Sequence, residues 1–445
     1  MKNQRSSSFA QRSRQVLVLA LFLAAASVVF SVNSHAQDPY TQLYSFTGGA
    51  DGGNPLASLV FDKAGNLYGT TSYGNGGYNC YTYGTGCGTV FKVAFTYGHW
   101  QESVLYTFTG NADGSLPSGN LIFDKAGNLY GTASLGGDPT ANCGVIFKLT
   151  PRPSGEWKEQ VLYTFPGSNY EANGCNPGTG LVFDRKGNLY GTTNAGGLSG
   201  IGVVFELSTV AHAAWNFKVL YSFGKNDPPP PYSSLALDQA GNLYWTDNSP
   251  TSGVFELSPT DTGNWQEALI FQFAGYNGWL PSGPVIFDQA GNLYGVTFGG
   301  GPQFDYFGCE SVGCGTVYEL SPSQNGQWTQ TTLYYFPSVA NTNWDNGPVG
   351  GLVFDSSGNL YGALQGFCGQ GVGGSLFEAP GCGSIFELSP GSGGTWTASV
   401  RHVFGYGTDG AAPAAGLIRD SKGALYGTTE YNGISGYGGV FRFKP

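Results

Sequence analysis

Charged residues are scarce in this sequence. They make up 11% of the 445 residues, against about a quarter in typical globular proteins. Basic residues are the scarcer kind: 19 Lys and Arg stand against 29 Asp and Glu, and four of the basic residues lie within the first 36 positions. The remainder has 15 basic and 29 acidic residues, a net charge of −14. This balance argues against nucleic acid or an anionic membrane surface as a partner, since both are bound through basic patches.

Long hydrophobic runs are missing except near the N-terminus. Val16 to Val32 forms one run of 17 apolar or small residues, preceded by four basic residues and followed by Ser34-His35-Ala36. This order predicts a secretory signal peptide over residues 1–36, cleaved after Ala36 because small residues fit a signal peptidase. An uncleaved anchor is the alternative, since about 20 apolar residues span a bilayer. We expect an exported protein, periplasmic or extracellular, with no membrane span after residue 36.

Glycine and aromatic residues are abundant instead. The 73 Gly and the aromatic content of 15% are typical of turn-rich β-structure. The motif Phe-Asp-x-x-Gly-Asn-Leu-Tyr-Gly recurs seven times, with small variations, at intervals of 50 to 67 residues. Seven regular copies predict a tandem-repeat architecture. The Asp of the motif is Asp62, Asp124, Asp184, Asp238, Asp288, Asp355 and Asp420.

Each repeat contains four short stretches with the alternation or β-branched character of strands, here named a to d. In the second repeat they cover residues 120–124, 128–133, 144–149 and 160–165. Between a and b the Asp side chain is expected to cap the turn, while the Gly accepts the positive φ of a bulged hairpin. A calcium loop is the alternative, but the further oxygen ligands and the distant Glu of an EF-hand are absent.

The two ends of the chain complement each other. The seventh repeat has strands a, b and c and lacks d, whereas residues 43–46 (Leu-Tyr-Ser-Phe) match the d stretches at 105–108 and 162–165. An N-terminal strand that closes the last blade of a ring leaves no sheet edge unpaired. The predicted fold is all-β, a single seven-bladed β-propeller of four-stranded blades over residues 37–445. An open solenoid is the alternative, but it would need a cap at each end.

A Trp recurs between strands c and d of the first six repeats. Four of the six follow a Ser-Pro or Thr-Pro pair by seven residues. The pattern is similar to the Asp-box turn of sialidase-type propellers, although Gly391 replaces the Asp in the last copy. We expect these rings to pack their own hairpins. The residues are Trp100, Trp157, Trp215, Trp265, Trp328 and Trp396.

The repeats resemble the GloVer tandem-repeat proteins, also called choice-of-anchor tandem-repeat proteins, which occur among exported bacterial proteins. The matching signature is Gly-Asn-Leu-Tyr-Gly-Thr-Thr, a glycine-rich stretch, and then Gly-Thr-Val-Phe-Lys or a version ending in Glu-Leu. Here it covers residues 65–71 with 88–93, and residues 187–193 with 202–207. The resemblance extends over nearly the whole chain after residue 36. It implies the fold and export, and it implies no activity.

Eight cysteines follow residue 36. An even number of cysteines in an exported protein predicts disulfides before metal ligands. Four of them stand just before the Gly that opens strand c, and the others lie in b–c or d–a loops. A zinc site would need four sulfurs at one point, whereas these are spread over four blades. The predicted pairs are Cys80 with Cys87, Cys143 with Cys175, Cys309 with Cys314, and Cys368 with Cys382.

The long loops of a propeller with this strand order share one face. The d–a and b–c loops, which form this loop face, are long, variable and aromatic, whereas the a–b and c–d turns of the opposite turn face are short. The loop face is therefore expected to carry the function. The histidines after residue 36 (His99, His212 and His402) fall near c–d turns or strand d. We therefore expect no histidine-dependent triad, metal or cofactor on the loop face.

Carboxylates and aromatic residues remain as candidates on the loop face. Strand b ends with Asp247 in the fourth repeat and runs into Glu430 in the seventh, and these repeats lie roughly opposite in the ring. Such a pair could face each other over the central channel, as the acid and base of a glycosidase do, which makes the two weak catalytic candidates. Solvated loop residues are the alternative. The full set of predicted ligand-binding residues is Tyr73, Trp245, Asp247, Trp279, Trp344, Glu430 and Tyr431.

The leading hypothesis is an exported, non-catalytic binding module whose loop face holds a glycan, a cell-envelope component or a protein. Flat rings beside amides and carboxylates suit sugars, and protein partners use the same residues as anchors. One alternative is a carbohydrate-active enzyme, a hydrolase or a lyase, that uses Asp247 and Glu430. Another is a structural envelope protein whose aromatic residues only cover glycine-rich loops.

Overall fold

Seven antiparallel sheets form the blades of a β-propeller in the computed structural model. The chain divides into two units, Met1–Pro39 and Tyr40–Pro445, and the second contains all of the described strands. Apart from a 3-10 turn over Ser392–Gly394, the described part of the chain contains no helix. The structure describes residues 39–74, 80, 86–167, 172–210, 214–225, 227–231, 233–249, 252–301, 315–336, 347–366, 382–405, 409–431 and 436–445.

Each of the first four blades is a sheet of four strands in chain order, with neighbours joined by hairpins. Blade 1 consists of β2 (Val60–Phe61), β3 (Leu67–Thr71), β4 (Thr89–Thr96) and β5 (His99–Thr107). Blade 2 consists of β6 (Ile122–Phe123), β7 (Leu129–Ala133), β8 (Val145–Pro151) and β9 (Trp157–Thr164). Blade 3 consists of β10 (Val182–Phe183), β11 (Leu189–Thr193), β12 (Val203–Val210) and β13 (Ala214–Ser222). Blade 4 consists of β14 (Ala236–Leu237), β15 (Leu243–Asp247), β16 (Gly253–Pro259) and β17 (Trp265–Gln272).

The remaining three blades follow the same plan, with one exception at the end of the chain. Blade 5 consists of β18 (Trp279–Phe287), β19 (Leu293–Gly299), β20 (Thr316–Pro322) and β21 (Trp328–Tyr335). Blade 6 consists of β22 (Pro348–Phe354), β23 (Leu360–Gln365), β24 (Gly383–Pro390) and β25 (Trp396–Val403). Blade 7 consists of β26 (Ala411–Pro413), β27 (Ile418–Arg419), β28 (Leu425–Tyr431), β29 (Gly439–Phe443) and the N-terminal β1 (Tyr40–Ser45).

The closure of blade 7 by β1 confirms the prediction from the two chain ends. Strand β1 pairs antiparallel with β29, with Tyr40 opposite Phe443. The Tyr40 ring also stacks on His402 of blade 6, with ring centroids 4.3 Å apart, and packs against Phe404 and Phe441. One N-terminal strand thus completes blade 7 and also joins it to blade 6.

The turn between strands a and b is built by its Asp. Asp62 Oδ1 accepts hydrogen bonds from the backbone N–H of Ala64 and Asn66, at 2.8 and 2.9 Å, and Oδ2 accepts one from the Tyr68 hydroxyl. Burial raises the pKa of Asp62, but the hydrogen bonds outweigh it and the net pKa is lowered. Gly65 has a φ of +84°. The same backbone caps recur in all seven blades, which confirms the predicted turn.

The recurring Trp residues pack between blades. Each one begins or nearly begins strand d, so it lies in the sheet rather than in the turn. The Trp157 ring contacts Tyr68 of the preceding blade, with centroids 6.0 Å apart. Trp100 contacts Phe95 of its own hairpin but also Tyr426 of blade 7. The predicted packing on the hairpin is thus seen at Trp100, and the contacts with the preceding blade were not predicted. Further contacts of this kind are Trp215 with Tyr130, Trp265 with Tyr190, and Trp328 with Tyr244.

The hydrophobic core consists of seven layers, one between each pair of neighbouring blades. Strand b lies between two such layers. It is buried along its whole length in β3, β7, β11 and β15. Residues of strand b therefore serve the core unless they stand beyond its last buried position.

Hydrogen bonds and close packing connect successive blades where the d–a segment crosses from one blade to the next. The residue before a Pro has a left-handed φ at five of these crossings. At one of them, Leu116 donates its N–H to the Cys87 carbonyl at 2.9 Å. Pro117 then lies against Gly88, where a Cβ would come within 2.6 Å of the proline ring, so only Gly fits. The five residues are Asn54, Leu116, Asn176, Leu280 and Ala412, with φ between 51° and 58°.

Two of the predicted disulfides are present among the described residues. Cys80–Cys87 closes the b–c loop of blade 1, and Cys143–Cys175 ties the b–c loop of blade 2 to the next d–a segment. Cys382 is also disulfide-bonded. Its predicted partner Cys368, and the predicted pair Cys309 and Cys314, lie outside the described residues. The described cross-links stiffen the loop face.

Candidate binding surfaces

The central channel opens into a small polar cavity of about 240 Å³, to which all seven blades contribute. Its described lining consists of Gly, Ala, Pro, Leu and hydroxyl- or amide-bearing residues, without an ionisable side chain. These residues lie mostly in the segments that precede strand a. Strand a is only two residues long in most blades because the chain before it turns toward this channel.

Asn120 links several blades across one side of the channel. Its Oδ1 accepts the backbone N–H of Ser58 from blade 1 at 2.8 Å, and its Nδ2 donates to Ser234 Oγ from blade 4 at 3.3 Å. Ser234 Oγ also accepts the N–H of Gly180 from blade 3 at 3.1 Å. A Cβ at Gly180 would come within 2.5 Å of Ser234 Oγ, so this approach requires Gly. Blades 1 to 4 are therefore joined by side-chain hydrogen bonds at the axis.

Blades 5, 6 and 7 meet through glycine backbones instead. A Cβ at Gly283 would stand 2.2 Å from the Gly350 carbonyl oxygen, and a Cβ at Gly350 would stand 2.3 Å from Gly416 N. Gly283 and Gly350 have φ of +76° and +67°. Real Cβ atoms do not approach other atoms so closely, so this part of the ring leaves no room for side chains.

Hydroxyl groups of strand b also join neighbouring blades. Thr132 donates to the Thr179 carbonyl at 2.9 Å, and Thr246 donates to the Gly283 carbonyl at 3.0 Å. Thr428 closes the ring by donating to the Ala57 carbonyl at 3.3 Å. In blades 2, 4 and 7 the first Thr of the motif thus links its blade to the next one.

Asp247 occupies the position of the second Thr in that motif and is 1% exposed. In blade 3 the equivalent Thr193 donates to the carbonyl two residues later, at 3.0 Å. Asp247, whose carboxylate accepts rather than donates, instead receives the backbone N–H of Ser249 at 2.7 Å and its hydroxyl at 2.5 Å. It does not line the central cavity, and neither does Glu430. The expectation that these two carboxylates face each other over the channel is therefore wrong.

Trp245 is a core residue. It replaces the strand-b Gly of other blades, where the aromatic ring of strand c covers the backbone, as Phe91 does at Gly69. Trp245 is 0% exposed and stacks on Phe255 with centroids 5.6 Å apart. The Phe255 ring lies over Gly253, where a Cβ would come within 3.0 Å of it. Because the ring fills the layer between blades 3 and 4, it cannot face a ligand, which corrects its prediction as a binding residue.

Trp279 and Trp344 are the other two tryptophans predicted to bind a ligand. Trp279 begins β18, is half-buried, and packs its ring edge on Gly299, where a Cβ would come within 3.1 Å. Trp344 lies outside the described residues. Trp279 thus borders the loop face without standing free of it.

Three tyrosines meet on the loop face at the junction of blades 7 and 1. The d–a segment at Gly53 and Asn54 runs between two of them. Gly53 donates its N–H to the Tyr73 carbonyl at 3.1 Å, and Asn54 donates to the Tyr437 carbonyl at 2.9 Å. Tyr431, the third, ends β28. Tyr431 and Tyr437 are 40% and 44% exposed. We name Tyr73, Glu430, Tyr431 and Tyr437 the tyrosine patch.

Glu430 supplies the negative charge of the tyrosine patch. The Tyr431 hydroxyl bonds to Glu430, and this hydrogen bond, together with burial, raises the pKa of Tyr431 to about 12. Tyr73 contributes the smallest part of this rise in pKa. Tyr437 was not predicted from the sequence, although one signal was present: it stands directly before the Gly that opens strand c, where four other blades have Cys.

The described residues hold no group of three or more His, Cys, Asp or Glu arranged to bind a metal ion. No helix among them has the length and hydrophobicity of a membrane span.

The family model of the Gloeobacter/Verrucomicrobia repeat matches residues 24–253, 79–301 and 246–445. The chain belongs to this repeat family. No curated protein matches the sequence.

Several solved structures are similar to this repeat protein at low sequence identity. Hydrazine synthase of Kuenenia stuttgartiensis has a TM-score of 0.52 and 13% identity, over 88% of this chain and 96% of that chain. The periplasmic gluconolactonase of Pseudomonas aeruginosa has a TM-score of 0.48 and 15% identity, over 85% and 96%. A putative 6-phosphogluconolactonase of Bacteroides uniformis has a TM-score of 0.48 and 13% identity, over 83% and 88%. The first similarity supports the propeller fold alone, because fold does not imply function.

Proposed function

We propose that this protein is an exported, non-catalytic binding module that holds a glycan on its loop face, at the tyrosine patch. The observation that supports the proposal is that Tyr73, Tyr431 and Glu430 lie close together where the loops of blades 7 and 1 converge, with Tyr437 bordering the same d–a segment. Exposed rings cover the apolar faces of sugars, and a carboxylate accepts hydrogen bonds from their hydroxyls. Tyr rings lose little conformational entropy on binding, which suits them as anchors.

The burial of Asp247, one of the two candidate carboxylates, also favours binding over hydrolysis. Both glycosidase geometries need carboxyl groups within about 5 to 9.5 Å of each other, flanking one bond. Asp247 is enclosed in blade 4 and holds Ser249, whereas Glu430 bonds to Tyr431 in blade 7. These two carboxylates are therefore not expected to act as acid and base on the same glycosidic bond. We expect a bound polysaccharide to be retained without cleavage.

The test is affinity electrophoresis of residues 37–445 in gels containing neutral polysaccharides, with released reducing ends assayed in each lane. We expect retardation without sugar release, and about tenfold weaker binding by Tyr431→Ala, since a central aromatic anchor contributes more than about 1 kcal/mol. Tyr335→Ala is the matched control, because Tyr335 is 39% exposed at the end of blade 5. Sugar release, equal effects of the two variants, or no retardation by any polysaccharide would each reject the proposal.

A further inference from the structure

The turn face carries a second, larger cavity of about 920 Å³ among blades 6, 7 and 1. It is lined by the a–b turns of blades 1 and 7, by Phe95 and Trp100 of the c–d hairpin of blade 1, and by Tyr361 of blade 6. Its volume falls within the range of about 300 to 1,000 Å³ that ligand sites occupy. The tyrosine patch lies on the opposite face, so the two surfaces are independent.

Positive charge is concentrated at this cavity. Five of the 15 Lys and Arg residues after residue 36 line it, and within the described part of the chain none of the five forms an ion pair. Its three aspartates are the cap residues of a–b turns, which every blade has. In a protein of strong net negative charge, such clustering creates a local field that attracts anions. The five residues are Lys63, Arg419, Lys422, Arg442 and Lys444.

Arg419 breaks the repeat at this cavity. It stands directly before the turn Asp, where five blades have Phe and one has Leu. In blade 2 that residue, Phe123, packs edge-on against Tyr68 of the preceding blade, with centroids 5.0 Å apart. The fold therefore uses an aromatic residue at this position to pack one blade against the preceding one. Arg419 Nε is buried and has no hydrogen-bond partner among the described residues, although the charge of Arg419 helps to lower the pKa of Asp355. The packing of the repeat therefore does not require a guanidinium at this position.

Arg442 of strand c is the second guanidinium at this cavity. It pairs in register with Tyr426, and the equivalent position is Glu in blades 3 to 6 and Lys in blades 1 and 2. Because this position carries a negative charge in some blades and a positive charge in others, the blade structure does not require a cation here. Arg442 Nη2 donates to Thr41 Oγ1 at 3.4 Å, while Nε is buried and without a partner among the described residues.

We propose that this cavity binds an acidic oligosaccharide through its carboxylate groups. Guanidinium groups present a planar fork of donors that matches a carboxylate, and two of them flank the cavity. Phe95, which is 59% exposed, and Trp100 supply ring faces for the sugar itself. The cavity is large enough for more than a single small anion, which favours an oligomer over an isolated ion.

The test is isothermal titration at low salt with trigalacturonate, its methyl ester and inorganic phosphate. Arg419→Phe restores the residue found in five other blades, and Arg442→Glu introduces the residue of four others, so both variants are expected to fold. Lys148→Glu is the matched control: it makes the same charge change at the equivalent position of blade 2, in a separate cavity of about 370 Å³. Thermal unfolding of each variant verifies folding.

We expect trigalacturonate to bind and its ester to be inactive. Affinity should fall about tenfold or more in Arg419→Phe and Arg442→Glu, since each variant removes charged hydrogen bonds, and should stay within about twofold in Lys148→Glu. Equal binding of acid and ester, unchanged affinity in both Arg variants, or no binding by the wild type would overturn the proposal. Displacement of trigalacturonate by an equal concentration of phosphate would also overturn it, because the site would then recognise charge without the sugar.

Discussion

Two partly buried glutamates are expected to make the stability of this propeller depend on pH. Glu102 of β5 lies beside Asp51, and Glu159 of β9 lies beside Asp113. Burial, and after it the neighbouring aspartate, raises the pKa of each Glu from 4.5 to about 7. One carboxylate oxygen of each Glu is buried without a hydrogen-bond partner among the described residues.

The sign of the effect follows from comparing the folded and unfolded states. Below pH 4.5 both states keep the proton, so these groups do not affect stability. Between about pH 4.5 and pH 7 the unfolded chain loses protons that the folded chain retains, so stability falls as the pH rises. A pKa rise from 4.5 to about 7 corresponds to roughly 3 kcal/mol for a group fully removed from water. These side chains are only partly buried, so solvent screening reduces the cost to about 1 kcal/mol each.

The perturbation is the double substitution Glu102→Gln and Glu159→Gln. At pH 8 it should raise the free energy of unfolding by about 2 kcal/mol, because glutamine has no charge to bury. At pH 4 it should change little. The assay is urea unfolding followed by tryptophan fluorescence at both pH values. Glu156→Gln is the control, since Glu156 is an exposed glutamate in the c–d turn of blade 2.

Two results would refute this reasoning. A stabilisation of equal size at pH 4 and pH 8 would mean that the substitutions act through packing or hydrogen bonding rather than through charge. A loss of stability at pH 8 would mean that the ionised glutamates stabilise the fold.

Three further predictions concern the ring and its loops. Asp247→Thr introduces the residue that four other blades have at this position, and the affinity for glycan in the gel assay should change less than twofold. A larger loss of affinity would mean that Asp247 contributes to the binding site. Gly180→Ala should cost about 1 to 3 kcal/mol in urea unfolding, because its Cβ would overlap Ser234; an unchanged midpoint would contradict the close packing. Replacing Cys143 and Cys175 by Ser should cost about 3 to 4 kcal/mol, since they close a separation of 32 residues; no change in midpoint would argue against it.

The fold was predictable because its determinants are local and repeated. The Asp-x-x-Gly turn, the alternation of the strands and the match of residues 43–46 to strand d can all be read within one repeat or by comparing repeats. Strand boundaries were less predictable. Strand d begins at Trp157 rather than near residue 160, because the Trp finds its partner Tyr68 in the preceding blade.

The candidate site was predicted only in part. The tyrosine patch retains Tyr73, Glu430 and Tyr431, whereas Trp245 and Asp247 belong to the interior. Both misplaced residues looked functional because they depart from the repeat. A residue that differs from the repeat consensus can be accommodated by a shift of its core neighbours, as Trp245 is by Phe255. It can also project into a cavity, as Arg419 does, and the sequence does not distinguish the two cases.

The sequence by itself determined the blade, its turn, the number of blades and the closure of the ring. These features rest on contacts between residues close in the chain or on the complementarity of its two ends. The tertiary structure alone decided which residues converge, because convergence depends on the ring as a whole. Thr428 donates to the Ala57 carbonyl across 371 residues of sequence, and Asn120 bonds to Ser58 of blade 1 and to Ser234 of blade 4 at the axis. Such contacts depend on blade orientation, which no single repeat encodes.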